Sequence, residues 1–255
     1  MNKFLIWHED GEVSCTTQFW KFIIKNCSGS INIDAIGKSG NHRLVSEVKN
    51  LVSSEIGDGE YYIIFHDAAF DNPAVQSEHS KLVKITEQFN NIYVSDLVCF
   101  EYLMLKFSKI DEWLKPIEEN EKFKRLLELR ERVIYIVENQ YRWTEDKEVL
   151  EYVLDKVSYI KDDEKRIKKL FNISIEGVVT YLIQDISKLS GGNFTVEKKQ
   201  LGKCWTSRCC WNSENECSLL NRKGLMTAQD KAEVLLDETP ARKQLELSSI
   251  RFGFL

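Results

Sequence analysis

No apolar run in the chain approaches the roughly 20 residues that a membrane-spanning helix requires, which argues against a helical membrane protein. The N-terminus lacks a secretory pattern as well, since a single lysine, Lys3, precedes only four apolar residues. Internal repeats and low-complexity tracts are missing. Charge of one sign is not in great excess either. A formal net charge of −5 argues against broad, nonspecific coating of nucleic acid but leaves room for a local basic groove. These absences together point to a cytoplasmic chain.

What is present fits a folded protein. The 255 residues suffice for one large domain or two modest ones with a real core. With 43% hydrophobic and 29% charged residues, the composition is that of a globular protein.

The first 110 or so residues alternate two periodicities. Short apolar stretches at Phe4–His8, Ile31–Ile36, Tyr61–Phe65 and Asn91–Val94 read as strands. Between them, Glu12–Lys25, His42–Ile56 and a segment from Pro73 to about Phe89 carry helical spacing, with Gly57-Asp-Gly59 as a break and Pro73 as a helix opener. A βαβαβαβ order with crossover helices predicts a parallel sheet covered on both faces.

From Phe100 onward the pattern becomes helical. Phe100, Leu103, Met104, Phe107, Ile110 and Leu114 form one stripe, which Pro116 ends or bends. Amphipathic stretches follow at Glu119–Gln140, Glu145–Tyr159, Asp163–Phe171 and Ser174–Leu189. Their charges are mixed, as on a solvated bundle; within them Lys165, Arg166, Lys168 and Lys169 would suit a nucleic-acid path. Ser190-Gly-Gly-Asn193 reads as a hinge into a cysteine-rich tail that contains one more helical stretch, Thr227–Asp237. The expected organisation is therefore an α/β domain over 1–115, a helical region over 116–190 and a C-terminal segment over 191–255.

The chemistry concentrates at strand ends. Glu9 follows the first strand and Asp67 the third, and Asp71 comes four residues later. In an open α/β sheet the ligand site lies beyond the carboxyl ends of the strands, so these acids are expected to converge. Such a cluster suits Mg²⁺, which keeps several waters and needs only one or two protein carboxylates. Each acid also fits a plainer role: Asp67 as a helix N-cap, Glu9 as a turn acid beside Asp10-Gly11. His8 and His66 precede the acids and, by strand alternation, should face away from them into packing or hydrogen-bonding roles. The Gly37-Lys-Ser-Gly40-Asn turn could offer N–H groups to a phosphate but lacks full phosphate-loop spacing, which argues against a kinase or ATPase.

This order of elements, with Glu9 after strand one, Gly37 and Gly40 after strand two and Asp67 after strand three, resembles the TOPRIM domain of topoisomerases, some primases and related nucleases. The resemblance implies a Rossmann-like sheet in which a Glu and an Asp-x-Asp collect a divalent metal for phosphodiester chemistry. Glu9 and Asp67 match; Ala69 stands where the second Asp belongs, and Asp71 is the next acid. The stretch Val94–Phe107, with Cys99-Phe-Glu101 before an apolar helix, is similar to TOPRIM-like proteins of the RloB and related abortive-infection groups, and Glu101 matches the Glu of that segment.

The likeness covers about residues 1–115. It implies a Mg²⁺- or Mn²⁺-dependent nuclease of prokaryotic antiviral defence, acting on DNA or RNA, with an ATPase as a candidate partner. Glu9, Asp67 and Asp71 would then be the metal ligands, with Asp71 or Glu101 assisting catalysis. The departure at Ala69 keeps a second expectation open, a catalytically inactive sensor or scaffold that binds a partner protein.

The seven cysteines divide unevenly. Cys15, Cys27 and Cys99 are scattered and read as core residues. Cys204, Cys209, Cys210 and Cys217 lie within 14 residues and supply the four thiolates of a closed tetrahedral Zn²⁺ site. Adjacent cysteines diverge, however, so a local disulfide, or partial binding with Trp205 and Trp211 simply packing, fits as well. A zinc here would be structural, cross-linking a tail too small for its own core.

Overall fold

The computed structural model describes residues 2–27, 32–54, 56–108, 110, 121–189, 216–217, 222–223 and 228–252. Four parallel strands form the central sheet: β1 (Lys3–His8), β2 (Asn32–Gly37), β3 (Glu60–Phe65) and β4 (Ile92–Val94), in the order β2-β1-β3-β4. Helices α1 (Cys15–Cys27), α2 (Asn41–Ser53) and α3 (Pro73–Thr86) make the crossovers. The α/β reading and the parallel sheet are thus observed, with Rossmann-like topology.

Strand alternation sorts the side chains onto two faces. Ile6, Ile63 and Phe65 join a core with Phe19, Trp20 and Ile23 of α1. Leu5, Trp7, Tyr62 and Ile64 pack on the other side against Leu44, Val45 and Val48 of α2 and Leu82 of α3. Buried on both faces, β1 and β3 are therefore continuous apolar runs.

The helical part comprises α4 (Phe100–Leu105), α5 (Glu121–Asn139), a 3-10 turn (Trp143–Glu145), α6 (Lys147–Val157), α7 (Asp163–Phe171) and α8 (Ile175–Leu189). Of the stripe expected from Phe100, the residues Phe100, Leu103, Met104, Phe107 and Ile110 are buried, but the helix stops at Leu105. Buried Arg130 of α5 explains that stop. Its Nε–H donates to the Leu105 carbonyl at 2.6 Å and its Nη2–H to the Phe107 carbonyl at 2.9 Å, satisfying oxygens that a longer helix would have used.

The C-terminal part adds α9 (Ala228–Asp237), as the sequence predicts within a residue, and α10 (Ala241–Arg251), which it does not. The buried face of α10 is Ala241, Gln244 and Ser248, so no apolar periodicity marks it. Gln244 anchors this helix to the end of β4: its Oε1 accepts from Ser95 Oγ–H at 2.8 Å and its Nε2–H donates to Asp96 at 3.1 Å. Leu235, Leu236 and Phe252 belong to the same core as Phe19 and Val178. The boundaries expected near 115 and 190 thus separate stretches of sequence that share one apolar interior.

Glu216–Cys217 (β5) and Arg222–Lys223 (β6) form a small antiparallel pair. Cys204, Cys209 and Cys210 lie outside the described residues, as does the side chain of Cys217, and so does the zinc expectation attached to them.

Candidate active site

β1 leads out to β2 on one side of itself, while β3 pairs with its other side, so the chain reverses direction between β1 and β3. In open α/β sheets the crevice at the carboxyl ends of two such strands is where ligands bind. His8 of β1 lies in register with Phe65 of β3, which sets Glu9 and Asp67 just beyond adjacent strand tips at the same end of the sheet.

Backbone bonds fix the Glu9 tip. The Lys38 N–H donates to the His8 carbonyl at 2.8 Å, the Gly40 N–H to the Glu9 carbonyl and the Ser39 N–H to the Asp10 carbonyl at 3.0 Å. This approach needs glycine at position 37, where a Cβ would stand 2.7 Å from the Gly11 carbonyl carbon and strike the Asp10 carbonyl as well. Ser39 (φ 61°) and Gly40 (φ 129°) take left-handed conformations that fold the turn over Glu9. The turn that resembled a weak phosphate loop thus spends its N–H groups on the loop bearing Glu9.

The Asp67 tip is tied to the loop that carries Glu101. The Ala68 N–H donates to the carbonyls of Leu97 and Val98 at 3.0 and 3.2 Å, two residues before α4 begins to form at Cys99. Glu101, buried, lies in the first turn of α4. Glu176, in the first turn of α8, completes the group. Both helices offer the positive end of their dipoles to these carboxylates.

Asp67 reports how close the acids are. Its carboxyl is held well above the usual carboxylate range, first by burial, then by the charge of Glu9 and a hydrogen bond with it, then by the charges of Glu176 and Glu101. Burial and then the charges of Glu101, Asp67 and Glu176 push up the Cys99 thiol, leaving it inert rather than nucleophilic. A cavity of about 20 Å³, room for one water-sized occupant, opens here between the acids Glu9, Asp10 and Asp67 and the apolar walls of Trp20, Phe65 and Phe100. Asp10 is committed elsewhere, accepting from Thr16 Oγ–H.

Three of the acids expected from the sequence are therefore brought together: Glu9, Asp67 and Glu101. Asp71 is placed differently. Its Oδ2 accepts the Ile175 N–H at 2.8 Å, so it caps α8 from outside and holds the helix start next to Glu176. Sequence spacing alone suggested that Asp67 and Asp71 share one side of a helical turn; residues 68–72 form no helix, and α3 begins at Pro73 behind the Asn72 cap. Glu176 was not foreseen. A first-turn acid reads as a dipole partner, and nothing in one sequence shows that the start of α8 returns to the sheet.

The histidines make the packing and hydrogen-bond contacts expected of them, but both also line the cavity beside Glu9 and Asp67 rather than facing away from it. His8 Nε2 hydrogen-bonds Thr17 Oγ1 at 3.0 Å, and His66 turns to α3, with Nε2 3.9 Å from Glu78 and its ring 5.8 Å from that of His79. Burial lowers the pKa of both His66 and His79, so both are held neutral.

Among the described residues, no group of three or more His, Cys, Asp or Glu side chains is already arranged around a metal position. Asp67 and Glu9 instead face each other, and after burial the nearness of Glu9 is what raises the Asp67 carboxyl most. Two facing carboxylates in an apolar-walled crevice are a donor set suited to a hard cation, which would offset their mutual repulsion. The candidate metal centre fits on that ground. No family model, curated protein or solved structure matches the chain, so its own residues carry the assignment.

Proposed function

We propose that the chain is a TOPRIM-like, Mg²⁺- or Mn²⁺-dependent nuclease, hydrolysing phosphodiester bonds for a prokaryotic antiviral defence system in which an ATPase is its partner. The supporting observation is the meeting of Glu9, Asp67, Glu101 and Glu176 at the strand crossover of a parallel sheet, with the Asp67 carboxyl raised by burial and then by the other three.

Glu9 and Asp67 would hold the cation, with Glu101 and Glu176 adding negative charge from the two helix starts. When bound, the metal supplies charge neutralisation at a phosphate and a water of lowered pKa. Trp20, Phe65, Phe100 and Leu103 keep bulk water from the inner wall, so each carboxylate acts in a medium of low polarity. Asp71 serves as a positioning residue: by capping α8 it fixes where Glu176 stands.

Incubation with labelled DNA and RNA pools plus Mg²⁺ or Mn²⁺ tests the proposal. Cleavage by the wild type and its loss in Glu9→Gln and Asp67→Asn is the expected result. Unchanged cleavage in a folded Glu9→Gln variant removes Glu9 from the mechanism.

A second reading, an inactive sensor or scaffold, draws on one observation. Ala69 occupies the position of the second family acid, and the nearest replacement, Asp71, is engaged by Ile175. A folded wild type that binds no divalent cation favours this reading.

A further inference from the structure

Helix α7 is unlike its neighbours. None of its nine residues is buried, and Leu170 is its one apolar side chain that reaches the core. Phe171 is 81% exposed, Ile167 53%, and Tyr159 in the preceding turn 73%. Large apolar side chains left this open on a helix that contributes so little to the interior call for an occupant.

The charges say which kind. Asp162 caps the helix and pairs with Lys165 at 3.8 Å, and Asp163 pairs with Arg166, as ordinary helix support, while Glu164 adds one more acid to the first turn. Lys168 and Lys169 have no ion pair among the described residues. Lys168 is three residues and Ile167 four residues before Phe171, so a free cation and two apolar groups rise from one side of the helix. A cation beside an exposed ring is the composition of a platform for a nucleic-acid strand, in which the phosphate meets the ammonium and a base stacks on the ring.

The position of α7 also matters. From Phe171 to Glu176 is five residues, a span of at most about 18 Å, and α8 is pinned at Ile175 beside the acids. The last turn of α7 therefore lies within that reach of Glu176.

We infer that the exposed face of α7, through Lys168 and Phe171 with Lys169 on its flank and Tyr159 in the turn before it, is the docking surface for single-stranded nucleic acid and leads the strand toward Glu9 and Asp67. This rests on the nuclease reading for what happens at the crevice, but not for binding itself. A duplex, whose bases are already stacked and out of reach of the rings, is the poorer partner.

Fluorescence anisotropy in EDTA, where cleavage does not interfere, tests it. The probe is a labelled single strand of roughly 20 nucleotides, longer than the ~4–16 one such platform covers. The competitors are the same sequence as a duplex and vesicles of anionic phospholipid. The wild type is expected to bind the single strand more tightly than the duplex.

The double variant Lys168→Glu/Lys169→Glu should bind at least tenfold more weakly and lower the slope of log affinity against log salt by about 1.4, at ~0.7 per phosphate contact on a single strand. Phe171→Ala should weaken binding about fivefold or more and leave the salt slope unchanged. Because α7 buries no residue, both variants should melt as the wild type does.

Equal affinity of wild type and variants for the strand, preference for the duplex, or binding to the vesicles alone overturns the inference. Binding with no cleavage on adding Mg²⁺ or Mn²⁺ sinks only the nuclease reading. Cleavage with an unaltered KM in the Lys168→Glu/Lys169→Glu variant sinks only this surface.

Discussion

Asp67 is the residue on which the site's electrostatics turn, because burial and three neighbouring carboxylates all oppose its ionisation. An acid whose folded pKa is raised favours folding at low pH, and that contribution is lost as pH rises from the ordinary value of 3.8 through the folded one. Asp67→Asn is therefore expected to melt higher than wild type at pH 8 in EDTA, with the difference shrinking as pH falls toward 5. Thermal melts of the two proteins across that range check this; a variant that is less stable at pH 8 would contradict it. Asp71 calls for a different contrast. Asp71→Ala strands the Ile175 N–H and should cost about 0.5–2 kcal/mol together with activity, while Asp71→Asn, which keeps an acceptor oxygen, should retain most of both. If Asp71 were a metal ligand instead, the asparagine would be nearly as damaging as the alanine. Chemical denaturation and cleavage assays on both variants separate the two roles.

Elements place these residues. The turn after β2 clamps the loop bearing Glu9 so closely that Gly37→Ala should destabilise the fold by about 1–3 kcal/mol, the usual cost of overpacking, and impair cleavage in parallel; denaturant titration measures the first. At the opposite edge of the sheet, Gln244→Ala leaves the fully buried Ser95 hydroxyl without its acceptor and should cost about 1–3 kcal/mol. What was legible in the sequence follows from the same physics. The strands, α1 to α3 and α5 to α9 show apolar side chains at the period of their backbone, and Pro73 marks its helix start. The tip acids Glu9 and Asp67 could be read because a parallel α/β order fixes the end of the sheet to which they belong. Helix α10 was not legible, since its buried face is alanine, glutamine and serine. The start of α8 beside the sheet was not legible either, because the Asp71–Ile175 bond spans 104 residues and no local pattern encodes it. Val13, inside the helical stretch expected over Glu12–Lys25, is 78% exposed because the helix begins only at Cys15, after the Ser14 hydroxyl has capped it.

At the scale of the whole molecule, one apolar interior runs from α1 and the sheet through α4, α5 and α8 to α9 and Phe252. Residues 1–115 alone would uncover Phe19, Phe100, Leu103 and Met104 and should show no cooperative melt. Among the described residues no helix is long and apolar enough to cross a membrane. Helices α4 and α8 do double duty, packing on each other in this interior while bringing Glu101 and Glu176 near Asp67, which ties the packing of the helical region to the chemistry at the strand tips. The claim on which the functional account depends is that these acids grip a divalent cation. Titration of Mn²⁺ into the metal-free protein, followed by the loss of the free-ion paramagnetic resonance signal, tests this directly for wild type, Glu9→Gln and Asp67→Asn. The account predicts saturable binding by the wild type and at least about tenfold weaker binding by each variant; a folded wild type that leaves Mn²⁺ free, or variants that bind it equally well, would contradict it.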